Sequence, residues 1–294
     1  MKNPESFNEL FSSIISRFHS EKKLFVIPCW NETKLVINNH AKMKSLFTSL
    51  IPSLDSFIKI EDRYNASKNI KGEHFKMPAS QLFPFEPQTP FYVKPRKHSK
   101  PFQVKLNTSR GLSEHFYYEP KIEGIEISAN IISKNGKVFF YDSFISLARW
   151  PKTGISVLKT ESKSDMIKKA AIELVNIIGW CGPLNIDFIL RGDEVYVIDI
   201  NPRLWASLHD NIEKNIDIIW LMETLTNADD DAPMAIVEMQ RVTTHISPLV
   251  YFSLLSMKTQ EKIIALNALK TSNSKNFSIK SVLATFIDRF CYAS

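Results

Sequence analysis

Two stretches near the middle of the chain alternate apolar residues with groups able to hold a hard cation. Leu184–Leu190 carries Asn185 and Asp187, and Glu194–Ile200 carries Asp199, with Asn201 next in line. Between them lies Arg191-Gly192-Asp193, a turn sequence with glycine at its centre. With all three residues in the turn, Leu190 faces Glu194 and Asp187 faces Val197. One face then collects Leu184, Ile186, Phe188, Leu190, Tyr196, Ile198 and Ile200. The other collects Asn185, Asp187, Asp199 and Asn201, with valines between. A two-residue turn shifts the parity and drives carboxylates into the apolar face, where they lose their hydration. The three-residue register is therefore expected, with Asp187 and Asp199 as diagonal neighbours, Cβ atoms about 7–8 Å apart. Two carboxylates and an amide gathered this way form an oxygen site suited to Mg2+ that also holds phosphate oxygens. Aspartate is a poor strand former, so two at the centre of one sheet face need a reason beyond contact with water.

Other chargeable residues fall where such a site could use them. Phe91-Tyr92-Val93-Lys94 alternates with period two and ends on a long cation at the strand terminus. The loop after it, Pro95-Arg96-Lys97-His98-Ser99-Lys100-Pro101, has no glycine, so Arg96, Lys97 and Lys100 would have to replace backbone amides around phosphates. Glu119 and Glu126 flank a short segment, Pro120-Lys121-Ile122-Glu123-Gly124-Ile125. Rival chemistries find little support. The seven histidines show no HExxH spacing, and GxSxG, Walker A and GxGxxG patterns are all missing. Cys181 beside Gly182 is expected in the core, and His209 is expected as a solvated loop residue.

Several elements must position these groups. Residues 5–18 carry apolar side chains at helical spacing. Leu24–Ile27, Lys34–Ile37 and Phe57–Ile60 read as short strands, with a helix at about 40–50 between the last two, making a small α/β unit at 1–61. A helix opened by Asp62-Arg63 runs to about 72 and leads to a proline-rich connection with Pro78, Pro84, Pro87 and Pro90. Strands follow at Phe91–Lys94, Phe102–Leu106, Phe116–Tyr118, Ile125–Ser133 and Lys137–Phe144, the last two joined by the hairpin signal Asn135-Gly136. A helix at about 164–178 is stopped by Gly179 and precedes the acidic hairpin. The main body is thus 62–225, and 226–294 reads as a helical region packed on it, ending in a helix at Phe277–Phe290.

Composition bounds the rest. The chain has 294 residues, 44% apolar and 23% charged, which is ordinary for a soluble protein with a substantial core. Net charge is +6, and Lys94, Arg96, Lys97, Lys100 and Lys105 fall in one stretch without an acid. The remainder is nearly neutral, so a nucleic-acid partner is not expected. Three scattered cysteines exclude a disulfide scaffold or thiolate zinc cluster. No apolar run approaches the roughly 20 residues that span a bilayer, and Glu5 and Glu9 do not fit a signal peptide. A cytoplasmic, soluble protein is expected.

The stretch Val197-Ile198-Asp199-Ile200-Asn201-Pro202-Arg203 resembles the "EINPR" strand end of the ATP-grasp superfamily, with Asp199 where glutamate is more usual. That resemblance implies an α+β, ATP-grasp fold: two α+β lobes clasping ATP, preceded here by a truncated α/β N-terminal unit. It implies Asp187, Asp199 and Asn201 as Mg2+ (or Mn2+) ligands and Arg203 at the reacting phosphoryl or acyl-phosphate group. Tyr118 to Glu126 is similar to the family's adenine hinge, at the seven-residue interval found in D-alanine–D-alanine ligases. There Glu119 would meet the adenine amino group, Lys121 and Ile122 would line the base, and Glu126 would bind the ribose. Lys94 would reach the nucleotide phosphates, and Arg63 resembles the preceding basic position, as in carbamoyl-phosphate synthase. The implied activity is ADP-forming ligation, with a small-molecule carboxylate activated as an acyl phosphate for attack by an amine. The short first unit and the loop without glycine point to an alternative, a nucleotide-binding subunit, regulatory or active only with a partner chain or as a homo-oligomer. A third reading, nucleic-acid binding through the Lys94–Lys105 cluster, predicts steep loss of binding with salt.

Overall fold

Backbone alternation and helix capping together explain most of the secondary structure. The computed structural model describes residues 24–28, 31–43, 47–82, 90–97, 105–106, 114–150, 155–205, 216–228, 236–238, 244–247, 249–255, 257–270 and 273–276. The helices expected at 5–18 and Phe277–Phe290 lie outside these residues, as do Pro84, Pro87 and Lys100.

Strand β1 (Leu24–Phe25) pairs in parallel with β2 (Phe47–Thr48), and α1 (Asn31–Met43) connects them. Two expected strands are helices. Lys34–Ile37 belongs to α1, and Phe57–Ile60 belongs to α2 (Leu54–Glu61). The physical reason lies in longer spacing than a four-residue window shows: Thr33 and Val36 are buried three apart, as are Phe57 and Ile60. Ser53 also caps α2, its hydroxyl accepting from the Ser56 N–H. Asp62 then caps α3 (Arg63–Asn69), accepting from the Asn65 N–H at 3.0 Å.

Two sheets follow. The smaller has the order β3 (Gln81–Leu82), β6 (Phe116–Pro120), β4 (Phe91–Pro95), β5 (Lys105–Leu106). One face of it buries Phe91, Val93 and Tyr118. The other parity carries Tyr92, Lys94, Tyr117 and Glu119.

The larger sheet contains β7 (Ile125–Lys134), β8 (Lys137–Trp150), β9 (Ile155–Glu161), β10 (Gly182–Arg191) and β11 (Glu194–Asn201). Helix α4 (Asp165–Ile178) interrupts it in sequence, and α5 (Ile218–Asn227) follows it. Asn135 and Gly136 form the β7–β8 turn, both at positive φ. The C-terminal region, expected to be helical, also adds strands: β12 (Val237–Glu238) pairs with β8, β13 (Thr244–Ser247) with β9, and β14 (Asn273–Asn276) with β13. Their flanking helices are α6 (Leu249–Leu255) and α7 (Thr259–Lys270). The resulting order is β11-β10-β7-β8-β9-β13-β14. Among the described residues no helix is long and apolar enough to cross a membrane.

The main core fills one face of this sheet. Ile167, Ala170, Leu174 and Ile178 of α4 pack there with Ile127, Ala129, Leu184, Ile186 and Phe188, joined by Phe57 and Ile60 of α2. On the opposite face, Ile132 and Phe140 are covered by α5 and by Trp205, whose ring stacks on Phe140 at 5.6 Å. The rest of that second face carries Ser128, Asn130, Asp142, Asn185 and Asp187 beside Phe144, and there the candidate site lies.

Candidate functional site

The acidic hairpin departs from the expected register in a way that improves the site. Arg191 pairs with Glu194, so the turn holds two residues, Gly192 and Asp193. That parity alone would place Asp187 opposite Ile198. A β-bulge between the Phe188–Val197 and Asp187–Asp199 pairs absorbs Ile198 as an extra residue and restores the alternation beyond it. Asp187 and Asp199 therefore become direct cross-strand partners rather than diagonal ones, and Asn185 faces Asn201. The two-residue turn also exchanges side chains between faces ahead of the bulge: Val195 and Val197 join the core, whereas Tyr196 and Ile198 remain half-buried outside it.

Cations approach this pair from two other elements. Arg63, first residue of α3, donates from Nε to Asp199 Oδ1 at 3.0 Å and from Nη2 to Oδ2 at 3.5 Å. Its position is set by the Asp62 cap and by its own N–H, which donates to the Arg96 carbonyl at 2.7 Å. Lys94, on the smaller sheet, donates from Nζ to Glu119 Oε1 at 2.5 Å and to the carbonyl of bulged Ile198 at 2.7 Å. Lys94 and Glu119 are both buried. Tyr117 completes the group, its hydroxyl 3.5 Å from Glu119 Oε2.

The electrostatics follow from burial and crowding. Burial raises the Glu119 carboxyl above its usual range; Lys94 and Arg63 oppose that effect, and Asp199 adds to it. Asp187 is pushed up to about 6, first by burial and then by the charges of Glu126 and Asp199, against the hydrogen bond from Ser128 Oγ at 2.6 Å. Tyr117 is raised by burial and by Glu119. The cavity among Arg63, Tyr117, Glu119, Ile198 and Asp199 is about 20 Å³, room for roughly one water. A larger cleft of about 530 Å³ lies away from these charges, lined by His40, Ser49, Lys134 and Cys181 among others.

The donor chemistry suits a hard cation. Among the described residues no three His, Cys, Asp or Glu side chains cluster as a metal cage. Asp187, Asp199 and the Asn201 amide instead offer an incomplete, all-oxygen set of the type that Mg2+ shares with phosphate. Asp187 is raised first by burial and then by Glu126 and Asp199, so a divalent ion beside it would favour its charged form.

The remaining expected residues are placed as follows. Lys121 and Ile122 lie partly exposed in the link between the two sheets, where the Lys121 N–H donates to Pro90 O at 2.8 Å and its ammonium pairs with Glu123. Glu126 opens toward solvent on β7, paired with Arg149. Arg203 follows the strand end, with its N–H on Asn201 O at 2.8 Å and Nη1 on Leu204 O at 3.0 Å. Arg96 is committed to Asp62, with Nη2 to Oδ2 at 2.7 Å, and packs over the Tyr64 ring, while Lys97 bridges Asp62 through its backbone. Ser128, Asn130, Asp142 and Arg149 were not anticipated. The parity of Glu126, Ser128 and Asn130, three polar residues at alternate positions of one apolar strand, was the signal that could have found the first two.

Solved structures share the fold. An ATP-grasp superfamily protein from Archaeoglobus fulgidus superimposes with a TM-score of 0.52 at 19% identity, over 75% of this chain and 73% of the other. L-amino acid ligase from Bacillus licheniformis gives 0.56 at 14% identity, over 76% and 60%. The biotin carboxylase domain of 2-oxoglutarate carboxylase from Hydrogenobacter thermophilus, solved with MgADP and bicarbonate, gives 0.57 at 11% identity, over 77% and 58%. The chain thus spans less than two thirds of the latter two. No curated protein matches it in sequence. The sequence model of the ATP-grasp domain matches residues 60–207, half of the chain, a span that contains Arg63, Lys94, Glu119, the paired aspartates and Arg203, and the protein belongs to the ATP-grasp family.

Proposed function

We propose that the chain is an ATP-dependent, ADP-forming ligase that activates a small carboxylate as an acyl phosphate for attack by an amine or similar nucleophile. The observation that carries this reading is the direct pairing of Asp187 with Asp199, flanked by Asn201 and met by Arg63. In this reading Asp187, Asp199 and Asn201 hold Mg2+, which when bound neutralises phosphate charge. Arg63 and Lys94 exchange their present carboxylate partners for phosphate oxygens, and Arg203 steadies the transferring group. Glu119, Lys121 and Ile122 receive the adenine, and Glu126 the ribose. The likeness to L-amino acid ligase and to an MgADP-bound carboxylase domain supports the reaction type.

One observation favours the second reading, a nucleotide-binding subunit that needs a partner. Arg96 is withdrawn to Asp62, leaving the loop after Lys94 with one cation fewer for phosphate. Phosphate release from ATP across a panel of carboxylates and amines separates the two. The ligase reading expects release that depends on both substrates, and an Asp199→Asn chain that folds but turns over about 10²–10³ more slowly. ATP binding without release under any pairing would favour the subunit. A fully active Asp199→Asn chain would remove Asp199 from the metal site.

A further inference from the structure

The second face of the large sheet carries a row of four buried polar side chains at one level. Asp142 on β8 faces Asn130 on β7, Asn130 faces Asn185 on β10, and Asn185 faces Asn201 on β11. Their exposures are 1%, 0%, 8% and 2%. Hydrogen bonds run through the row in one direction. Asn201 Nδ2 donates to Asn185 Oδ1 at 3.3 Å, Asn185 Nδ2 to Asn130 Oδ1 at 3.0 Å, and Asn130 Nδ2 to Asp142 Oδ2 at 2.9 Å.

The direction has a physical origin. The two ends of an asparagine amide are nearly the same size, so an isolated amide can present either. In a buried row, turning one amide alone brings oxygen against oxygen or NH2 against NH2, so the three turn together or not at all. Turning all three would set the Asn130 oxygen against Asp142 Oδ2, acceptor facing acceptor, and the Asn185 oxygen against the Ala129 carbonyl that its Nδ2 now meets at 3.4 Å. Asp142 therefore closes the row at its far end. Asn201 must spend its Nδ2 on the sheet, which leaves Oδ1 as the end available to a ligand.

We propose that Asp142, Asn130 and Asn185 are positioning residues that orient the Asn201 amide so that its oxygen meets a hard divalent cation. The inference rests on the metal role proposed for Asn201, but the row's direction can be tested without it. Asp142 and Asn201 are three strand spacings, about 14 Å, apart and cannot touch. Ordinary structural roles at that distance give additive effects.

A double-mutant cycle in the full chain reads the coupling. Asn201→Asp alone puts carboxylates at both ends of a row that can satisfy only one, so its melting temperature should fall clearly. Adding Asp142→Asn supplies a donor at the far end, lets the row reverse, and should recover more than half of that loss. A stable Asn201→Asp chain, or a double variant no better than the single, would overturn the proposal. If the single variant fails to fold, folding of the double supports it and failure of both overturns it.

The cation is tested with Mn2+ in the presence of ADP. Asp142→Asn removes the carboxylate that fixes the row's direction and leaves the contact of Asn185 Nδ2 with Ala129 O at 3.4 Å as the remaining bias, so the competent fraction falls toward one half and the apparent Mn2+ dissociation constant rises by up to about twofold. ADP binding in EDTA should not move. Unchanged Mn2+ affinity would overturn the proposal. Wild-type chain that takes up ADP but no Mn2+ would instead end the metal reading of Asn201, whatever the melting cycle shows.

Discussion

Asp187 holds its proton more tightly in the folded chain than in the unfolded one, and that makes Asp187→Asn informative. In the metal-free chain its carboxyl is pushed up to about 6 by burial, Glu126 and Asp199. An unfolded aspartate titrates near 3.9. The folded chain therefore holds this proton more tightly than the unfolded one. The associated stabilisation is complete below pH about 4 and is lost as pH rises through about 6. About two pH units at ~1.36 kcal/mol each bound the effect at about 3 kcal/mol. Asparagine has the neutral shape at every pH and still accepts from Ser128 Oγ, which lies 2.6 Å from Asp187 Oδ1. In EDTA at pH 8 the variant should be the more stable chain by up to about 3 kcal/mol, or roughly 5 °C in melting temperature. At pH 5 the gap should shrink to about half, and at pH 4 nearly close. Thermal denaturation across that range measures it. A variant less stable than wild type at pH 8, or a gap that does not change with pH, would refute the reasoning. Mg-ATP should then stabilise wild type and leave the variant behind.

Two further perturbations test the packing around the site. Lys94→Met leaves Glu119 buried without its cation and should cost about 3–5 kcal/mol in urea denaturation, with much of it recovered by adding Glu119→Gln. Gly182 has φ +106, and a Cβ there would stand 2.5 Å from the Leu50 carbonyl oxygen, a backbone atom that cannot swing aside. Gly182→Ala should therefore cost about 1–3 kcal/mol, read as a lower urea midpoint at unchanged slope.

Helix α4 and the hairpin strands could be read from sequence because each repeats its period over several turns or residues, so local pattern and tertiary burial agree. Lys34–Ile37 and Phe57–Ile60 could not, since four alternating residues fit a strand as well as one turn of a helix. What decided them was burial three positions apart and, for α2, the Ser53 cap. The grouping of Asp187, Asp199, Asn185 and Asn201 on one face was legible, yet the route to it was not. In a regular ladder a two-residue turn would split the aspartates between faces; Ile198 gives no local sign that it will be absorbed as a bulge. The Arg96–Asp62 pair was not legible because its partners are 34 residues apart and meet only when α3 docks. The amide row was invisible for a similar reason: its direction depends on which strands are neighbours.

Strand β11 ends the large sheet, and a terminal strand is a template on which a foreign chain can add itself. Here the middle of that template is already occupied. Lys76 donates its N–H to Val195 O at 2.8 Å and accepts the Val197 N–H at 3.0 Å, while the Lys94 ammonium takes the next carbonyl, that of Ile198. The groups that shape the candidate site thus also guard its border against self-association. Loosening Lys94 or the strap around Lys76 would uncover main-chain partners beside the paired aspartates, and the first symptom would be loss of solubility.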